Sequence, residues 1–513
     1  MRALSWTAPV LVCLSLLCGG SVVTRSNPFD MVGSLVATLL RSWMLYIQAT
    51  FNENPGHVII ETACIAAIFY LLFHRRFDPG EQQKLSLKEE EELLKEWVPQ
   101  PLTPTVSKPF APPVMTSATD NGFVTVASET AKKLNLSTCD FLGLSGMQSI
   151  KDACKQTIMQ YGVGSCSPRG FYGTVTPHLL FEEEMAKFMG AEAAILYSDS
   201  LATVSSIVAA FSKAGDLIIC DDGVRNDVLA GVSLSRSHVI FFKHNDMEDL
   251  ERILENVAAA DRKRSRKSLN RRFIVVEGVY QNYGDICPLE VVVDLKKRYH
   301  YRIILDDSLG FGVLGTTGRG TCEMKGIPVQ DIDIWCTRMD TAMASVGGVC
   351  CGSLQVVEHQ RLGAAGYVFS ASSPMFSCTA AVEALKVIDA EPERAERVRA
   401  NGNLLRAELR SIEGVVVGGS TDSPLTHLRL STSDAEEHSL GLYRRVAQSL
   451  FDNDDILVSV SSFTPHQKMA PPPSICLYVG CHSTREQIID VAKRVAAAFA
   501  SALEQPARKK PNE

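Results

Sequence analysis

The feature that most constrains this chain is a regular alternation through its middle. Short apolar runs of strand character recur at Ala194–Tyr197, Leu217–Cys220, His238–Phe242, Phe273–Glu277, Arg302–Asp306 and Ile332–Trp335. Helix-length segments such as Met247–Ala259 and Leu289–Tyr299 separate them. A strand that is apolar throughout must be covered on both faces, and parallel neighbours need a crossover long enough to hold a helix. The pattern predicts an α/β domain with a mostly parallel sheet between helical layers. Ligands of such sheets gather at the carboxyl ends of the strands. The residues there are Asp221, His244, Glu277 and Asp306. A single acid after a strand is usually a turn or cap, but several converging make this end a candidate site.

The large domain is expected over residues 119–390. Gln148–Gln160 reads as a helix leading into the glycine-rich stretch YGVGSCSPRGFYG (Tyr161–Gly173), whose glycines and Pro168 make a loop able to hug another surface. Phe181–Met189 is helical in pattern. From Glu391 the pattern changes: a helix at Arg394–Ile412, strand-like pieces near Val415–Val417, Thr426–Leu430 and Ile475–Val479, and a last helix from Thr484 to about Ala502. These make residues 391–513 a small α+β domain. Asp261–Arg272 (DRKRSRKSLNRR) is a basic insertion. It reads first as a solvated loop and second as a contact for anionic lipid head groups. A formal net charge of −7 argues against a general nucleic-acid binder. The 15 cysteines show no CxxC pair and no metal-ligand spacing, so the sequence suggests neither a metal site nor a disulfide framework.

Ahead of the globular part the chain is built for a membrane. Residues 1–56 open with Arg2, an apolar run from Ala8 to Cys18, and small residues at Gly19, Gly20 and Ser21. This is the pattern of a signal peptide, and a signal anchor or an extension without a role fits it equally. Met31–Ile47, interrupted by Arg41, suits an interfacial amphipathic helix. Residues 57–77 are the expected transmembrane helix. From Val58 they read VIIETACIAAIFYLLF, slightly short of the about 20 apolar residues a span needs. A buried helix is the other reading. Arg75, Arg76, Lys84 and Lys88 follow the run, which favours a cytosolic carboxyl-terminal side. Residues 78–118 then hold a charged helix, Leu85–Trp97, and a tether interrupted by prolines 99, 101, 104, 109, 112 and 113.

Seven strings carry a family resemblance: YGVGSCSPRGFYG (161–173), FFKHNDMEDLER (241–252), RRFIVVEGVY (271–280), FGVLG with GRG (311–320), ASVGGVCCG (344–352), HQRLGAAGYVFSAS (359–372) and PPPSI (471–475). In that order they resemble the α-oxoamine synthase group of fold type I, aspartate-aminotransferase-like, pyridoxal-phosphate enzymes. Within it the chain is most similar to the first, non-catalytic long-chain-base subunits of serine palmitoyltransferase. The resemblance runs from about His57 to the end and implies an α/β fold with a small carboxyl-terminal domain.

The resemblance also exposes losses. Catalytic members of the group carry a cofactor-bonding lysine six residues before paired glycines. Counting back from Gly347, that position is Thr341, and no lysine occurs from Gly326 to Leu385. A hydroxyl cannot form an imine. The histidine that stacks on the cofactor ring in catalytic members falls on Arg225. Asp306 matches the aspartate that pairs with the ring nitrogen, but Leu309 stands where a second histidine follows. No arginine occurs from Val446 to Thr484 to hold a substrate carboxylate, and Asp140 replaces an asparagine found in some members. The chain's own site is therefore expected to be degenerate, with Asp306 vestigial.

What the resemblance implies is a heterodimer in the endoplasmic reticulum membrane. A catalytic second long-chain-base subunit holds the pyridoxal 5'-phosphate and condenses L-serine with palmitoyl-CoA to 3-ketodihydrosphingosine. Small membrane regulatory subunits are expected in the assembly. This chain is expected to complete the partner's site through Tyr161, Cys166, Arg169, Phe171 and Tyr172. Arg169 would meet a carboxylate or phosphate, the aromatics would line an acyl channel, and Ser370 and Ser372 of the FSAS segment would point to the partner's cofactor. Cys166 has the alternative of a small packed thiol, and the two serines that of surface or capping residues. Two other functions remain open at this point: a self-sufficient α-oxoamine synthase homodimer, and a membrane scaffold or regulator outside catalysis.

Overall fold

The computed structural model describes residues 55–73, 86–99, 114–117, 120–127, 131–263, 270–431, 436–461 and 471–504, with isolated positions between 38 and 48 and at 102. The readings for residues 1–23, for most of Met31–Ile47 and of the proline tether, and for 264–269 of the basic insertion lie outside them. The chain divides into two compact units, Met1–Pro109 and Phe110–Glu513.

In the first unit, residues Pro55–Phe73 form a 19-residue helix. Ile60, Phe69, Leu71 and Leu72 on it are exposed. At 1.5 Å per residue such a helix is about 28 Å long, just under a bilayer core of about 30 Å. Among the described residues no helix is long and apolar enough to cross a membrane, so the expected span over 57–77 is not seen. The second helix, Leu87–Glu96, starts where its sequence says it must. Ser86 Oγ accepts from the Glu89 amide at 3.3 Å, and the Glu89 carboxylate accepts from the Ser86 amide at 2.9 Å.

The second unit is organised by two sheets. The larger has seven strands: β3 (Ala193–Tyr197), β4 (Leu217–Asp221), β5 (His238–Phe242), β6 (Arg272–Glu277), β7 (Arg302–Asp306), β8 (Ile334–Arg338) and β9 (Gly348–Gly352), in the order β3-β9-β8-β7-β6-β4-β5. The strands β5, β4, β6, β7 and β8 run parallel, and β9 alone runs against its neighbours β3 and β8. All six strand runs read from the sequence are present. β9 was not foreseen, because GVCCG shows neither alternation nor a β-branched run. Its glycine at 348 is required: a Cβ there would lie 2.3 Å from Thr203 Oγ1.

The smaller sheet has the order β1-β2-β12-β13-β11-β10, with β1 (Phe123–Thr125), β2 (Lys132–Leu136), β10 (Val415–Gly418), β11 (Leu425–Leu430), β12 (Ile456–Val460) and β13 (Ile475–Tyr478). Here the domain boundaries differ from the sequence reading. Residues 123–136, assigned to the large domain, supply two strands to the carboxyl-terminal sheet. β2 pairs parallel with β12, and Leu134 and Leu136 are buried with Leu405, Val446, Leu477 and Phe499. A pairing between residues more than 300 positions apart leaves no local signal.

Candidate functional site

The site is assembled at the carboxyl ends of β4, β6 and β7. β4 ends in Asp221, which is fully buried and accepts from the Gly223 amide at 2.7 Å. That turn delivers Arg225, the N-cap residue of the helix Asn226–Leu234. The Arg225 amide donates to Glu277 Oε1, at the end of β6, at 2.5 Å. Its side chain then turns inward. Nε donates to Asp227 Oδ1 at 2.6 Å, and Nη2 is paired with Asp306 Oδ2 at the end of β7 and donates to Ser308 Oγ at 3.3 Å. The Arg225 and Asp306 side chains are only 6% and 2% exposed. Burial alone would depress the guanidinium, but the carboxylates of Asp306, Asp227 and Glu277 outweigh it and hold it above the usual arginine range.

The losses inferred from the sequence thus have a structural counterpart. The carboxylate that a ring nitrogen would need is already neutralised by an arginine of the same chain. Thr341 is buried at 1% exposure, and its Oγ1 donates to the Ser308 carbonyl at 2.8 Å. Leu309 is packed into the core at 2% exposure. At the same end of the sheet the helix Ser200–Phe211 is capped by Asp199, whose carboxylate accepts from the Ala202 amide at 2.6 Å. An incoming phosphate would have to displace that carboxylate. Pyridoxal phosphate, the cofactor implied by the resemblance, does not fit the residues at this end of the sheet.

Beside this network lies a second cluster. His244 Nδ1 is 2.9 Å from Asp221 Oδ1, and Nε2 is 3.4 Å from Asp285 Oδ2. Its ring stacks on Tyr283 with centroids 4.0 Å apart. Burial would lower its pKa, but the hydrogen bond to Asp221 and the nearby Asp285 carboxylate raise it to about 9. Sequence reading missed Asp227 and Ser308, although an acid two residues after Arg225 was a usable signal. It also missed Arg429. From β11 its Nη2 donates to the Asn282 carbonyl at 2.6 Å and its guanidinium lies 5.3 Å from the Tyr283 ring centre. It lies ahead of the arginine-free stretch Val446–Thr484.

The expected partner-facing residues lie together, with one correction. Arg169 is not available to a ligand. It is buried, donates to Glu182 and Thr174 at 3.0 Å each, and Glu182 in turn accepts from the Leu196 amide at 2.9 Å. The Pro168–Arg169 turn folds back onto the helix Thr176–Met189, so its charge is paired inside the chain, although Nη1 is buried without a hydrogen-bond partner. Phe171 and Tyr172 are exposed at 71% and 95%, and Phe369 of the FSAS segment at 84%. Tyr161 is half-buried. Cys166 is exposed with a left-handed φ of 55°. The loop and the FSAS segment are tied to each other: Ser372 Oγ is 2.5 Å from Ser165 Oγ, and the Ser372 amide donates to the Ser167 carbonyl at 3.1 Å. Ser370 Oγ donates to the Gly366 carbonyl at 2.6 Å and accepts from Ser198 Oγ at 2.8 Å. Both serines are therefore engaged within the chain.

Comparison with known proteins agrees with this architecture. Residues 131–470 match the family Aminotransferase class I and II. The chain is 39% identical over 448 residues to Long chain base biosynthesis protein 1b of Oryza sativa subsp. japonica, covering 86% of this chain and 92% of that one. It is 38% identical over 467 residues to Serine palmitoyltransferase 1 of Dictyostelium discoideum, covering 88% and 96%. Among solved structures, the serine palmitoyltransferase of Sphingomonas wittichii superposes with a TM-score of 0.68 at 23% identity, over 82% of this chain and 97% of that one. That likeness concerns the fold. The chain belongs to the class I and II aminotransferase family, among the relatives named long chain base biosynthesis protein 1 and serine palmitoyltransferase 1.

Proposed function

We propose that this chain is the non-catalytic subunit of a serine palmitoyltransferase, paired with a lysine-bearing partner that holds the pyridoxal phosphate. Together they condense L-serine with palmitoyl-CoA to 3-ketodihydrosphingosine, the entry to sphingolipid synthesis. The observation that carries this reading is the buried Arg225–Asp306 ion pair beside Thr341. An arginine occupies the aspartate, a hydroxyl stands at the lysine position, and the scaffold around them is intact. Such a chain has no use for a site of its own but can lend a surface to another.

That surface is the Tyr161–Gly173 loop with the FSAS segment. Exposed Phe171, Tyr172 and Phe369 are apolar groups that water disfavours and an apposed subunit would cover. The assembly works at the endoplasmic reticulum membrane with the globular unit in the cytosol, and small membrane subunits join at the amino-terminal region. The exposed apolar side chains of the helix Pro55–Phe73 support lipid contact.

The test is co-expression. Membranes holding this chain alone, the partner alone and both are assayed for serine-dependent acyl-CoA condensation. Activity is expected only with both, and is expected to be lost with Cys166→Trp. Condensation by this chain alone overturns the proposal.

A further inference from the structure

At the opposite end of the central sheet the chemistry changes sign. Arg302 opens β7 and Asp306 closes it, about 13 Å apart at the usual strand rise. Around Arg302 lies a cleft of about 770 Å³ lined by Arg262, Arg271, Arg272, Arg298 and His300. Three of these arginines already have carboxylates. Arg271 is 3.3 Å from Asp216, Arg272 is 2.6 Å from Asp261, and Arg298 pairs with Glu251. Arg262 and Arg302 have no carboxylate partner among the described residues, and both are exposed. Arg271 and Arg302 also wall a neighbouring cleft of about 610 Å³.

The plain explanation for basic residues here is the helix dipole. The helices Met247–Lys263 and Leu289–Tyr299 both end at this edge with basic last turns. Each helix end supplies about half a negative charge, so two ends offset only about one of the two unpaired guanidinium charges. The cleft stays cationic, on a chain whose formal net charge is −7. Guanidinium forks suit phosphate oxygens, which accept two parallel N–H bonds from one arginine.

We propose that this cleft binds a phosphate-bearing anion, with Arg262 and Arg302 as its free donors. The phosphate is either that of a lipid head group or that of a small soluble molecule. Two measurements on the full-length chain in detergent separate these sources. One is calorimetric titration with inorganic pyrophosphate. The other is flotation with phosphatidylcholine vesicles, with and without added phosphatidylinositol phosphates, the difference removing any binding through the amino-terminal region. Binding in either assay should weaken about tenfold or more in Arg262→Glu/Arg302→Glu, since two charge-assisted hydrogen bonds are lost. Arg262→Lys/Arg302→Lys should keep most of it. Pyrophosphate binding that the charge-reversed variant loses identifies a soluble phosphate. Vesicle binding alone that it loses identifies a head group. If neither probe binds, or if both bind the charge-reversed variant as well as the wild type, the proposal fails. Arg262→Gln/Arg302→Gln gives the same reading should charge reversal unfold the chain.

Discussion

Arg225→Met tests the idea that an internal charge has replaced cofactor chemistry. The substitution keeps most of the side-chain volume but removes the guanidinium. It leaves Asp306, 2% exposed, with Ser308 as its remaining partner. Removing one member of a buried ion pair typically costs about 3–5 kcal/mol, because the other charge stays behind without water. The reverse change should be milder. In Asp306→Asn the guanidinium keeps Asp227 at 2.6 Å and Ser308 at 3.3 Å, so the loss is that of one buried partner, about 1–3 kcal/mol. The double variant Arg225→Met/Asp306→Asn should recover part of the single Arg225→Met loss, since no charge is stranded at position 306 while Asp227 still lacks its cation. Urea unfolding of the four proteins, followed by tryptophan fluorescence, measures the cycle. An Arg225→Met chain within about 0.5 kcal/mol of wild type, well below the cost of a stranded buried charge, would refute the argument. So would a double variant no better than the single one.

Other expectations are independent of that pair. Thr341→Lys should not gain bound pyridoxal phosphate, read as absence of new visible absorbance after dialysis, and should lose about 1–3 kcal/mol from overpacking at a 1%-exposed position. His244 is held charged by Asp221 and Asp285, with a pKa of about 9 against an ordinary 6.5. Its contribution, at most about 3 kcal/mol, is full below pH 6.5 and fades as pH rises through 9. Melting of His244→Gln should therefore lack the wild-type decline between those values, and an unchanged decline would exclude His244 as its source. In Gly173→Ala the new Cβ would lie 2.0 Å from the Ser167 carbonyl oxygen, so the loop must shift. Activity of the co-expressed pair should fall by about 10²-fold while this chain stays folded by circular dichroism. Arg169→Ala takes from buried Glu182 its nearest cation, leaving the Leu196 amide and Arg361 at 4.0 Å, and urea unfolding should show a loss of about 1–3 kcal/mol.

The fold of the large sheet was legible because its parallel strands are compact apolar runs and helix-length segments separate most of them. The positions of Thr341, Arg225 and Leu309 were also legible, since each is a fixed count from a glycine or an aspartate in a recognisable string. Less legible was anything that depends on where a long side chain goes. In the sequence Arg169 has the look of a ligand-facing cation, yet it pairs with Glu182, thirteen residues away on the next helix. The family resemblance points Ser370 and Ser372 toward another subunit, yet their hydroxyls are engaged by Ser198, Gly366 and Ser165.

By itself the sequence determined which residues stand where a catalytic relative keeps its machinery. Residue identity is local information, and a missing lysine is missing in any conformation. Only the tertiary structure decided what fills the space. That Arg225 closes onto Asp306 follows from β4 and β7 lying on either side of β6, with their carboxyl ends at one edge. That β1 and β2 join a sheet whose other strands begin at residue 415 follows from a pairing across most of the chain. The cationic cleft around Arg302 likewise exists only because two helix ends and two strand starts meet there. Contacts of this kind are set by backbone topology and by competition for buried charge, and neither is written in any short stretch of residues.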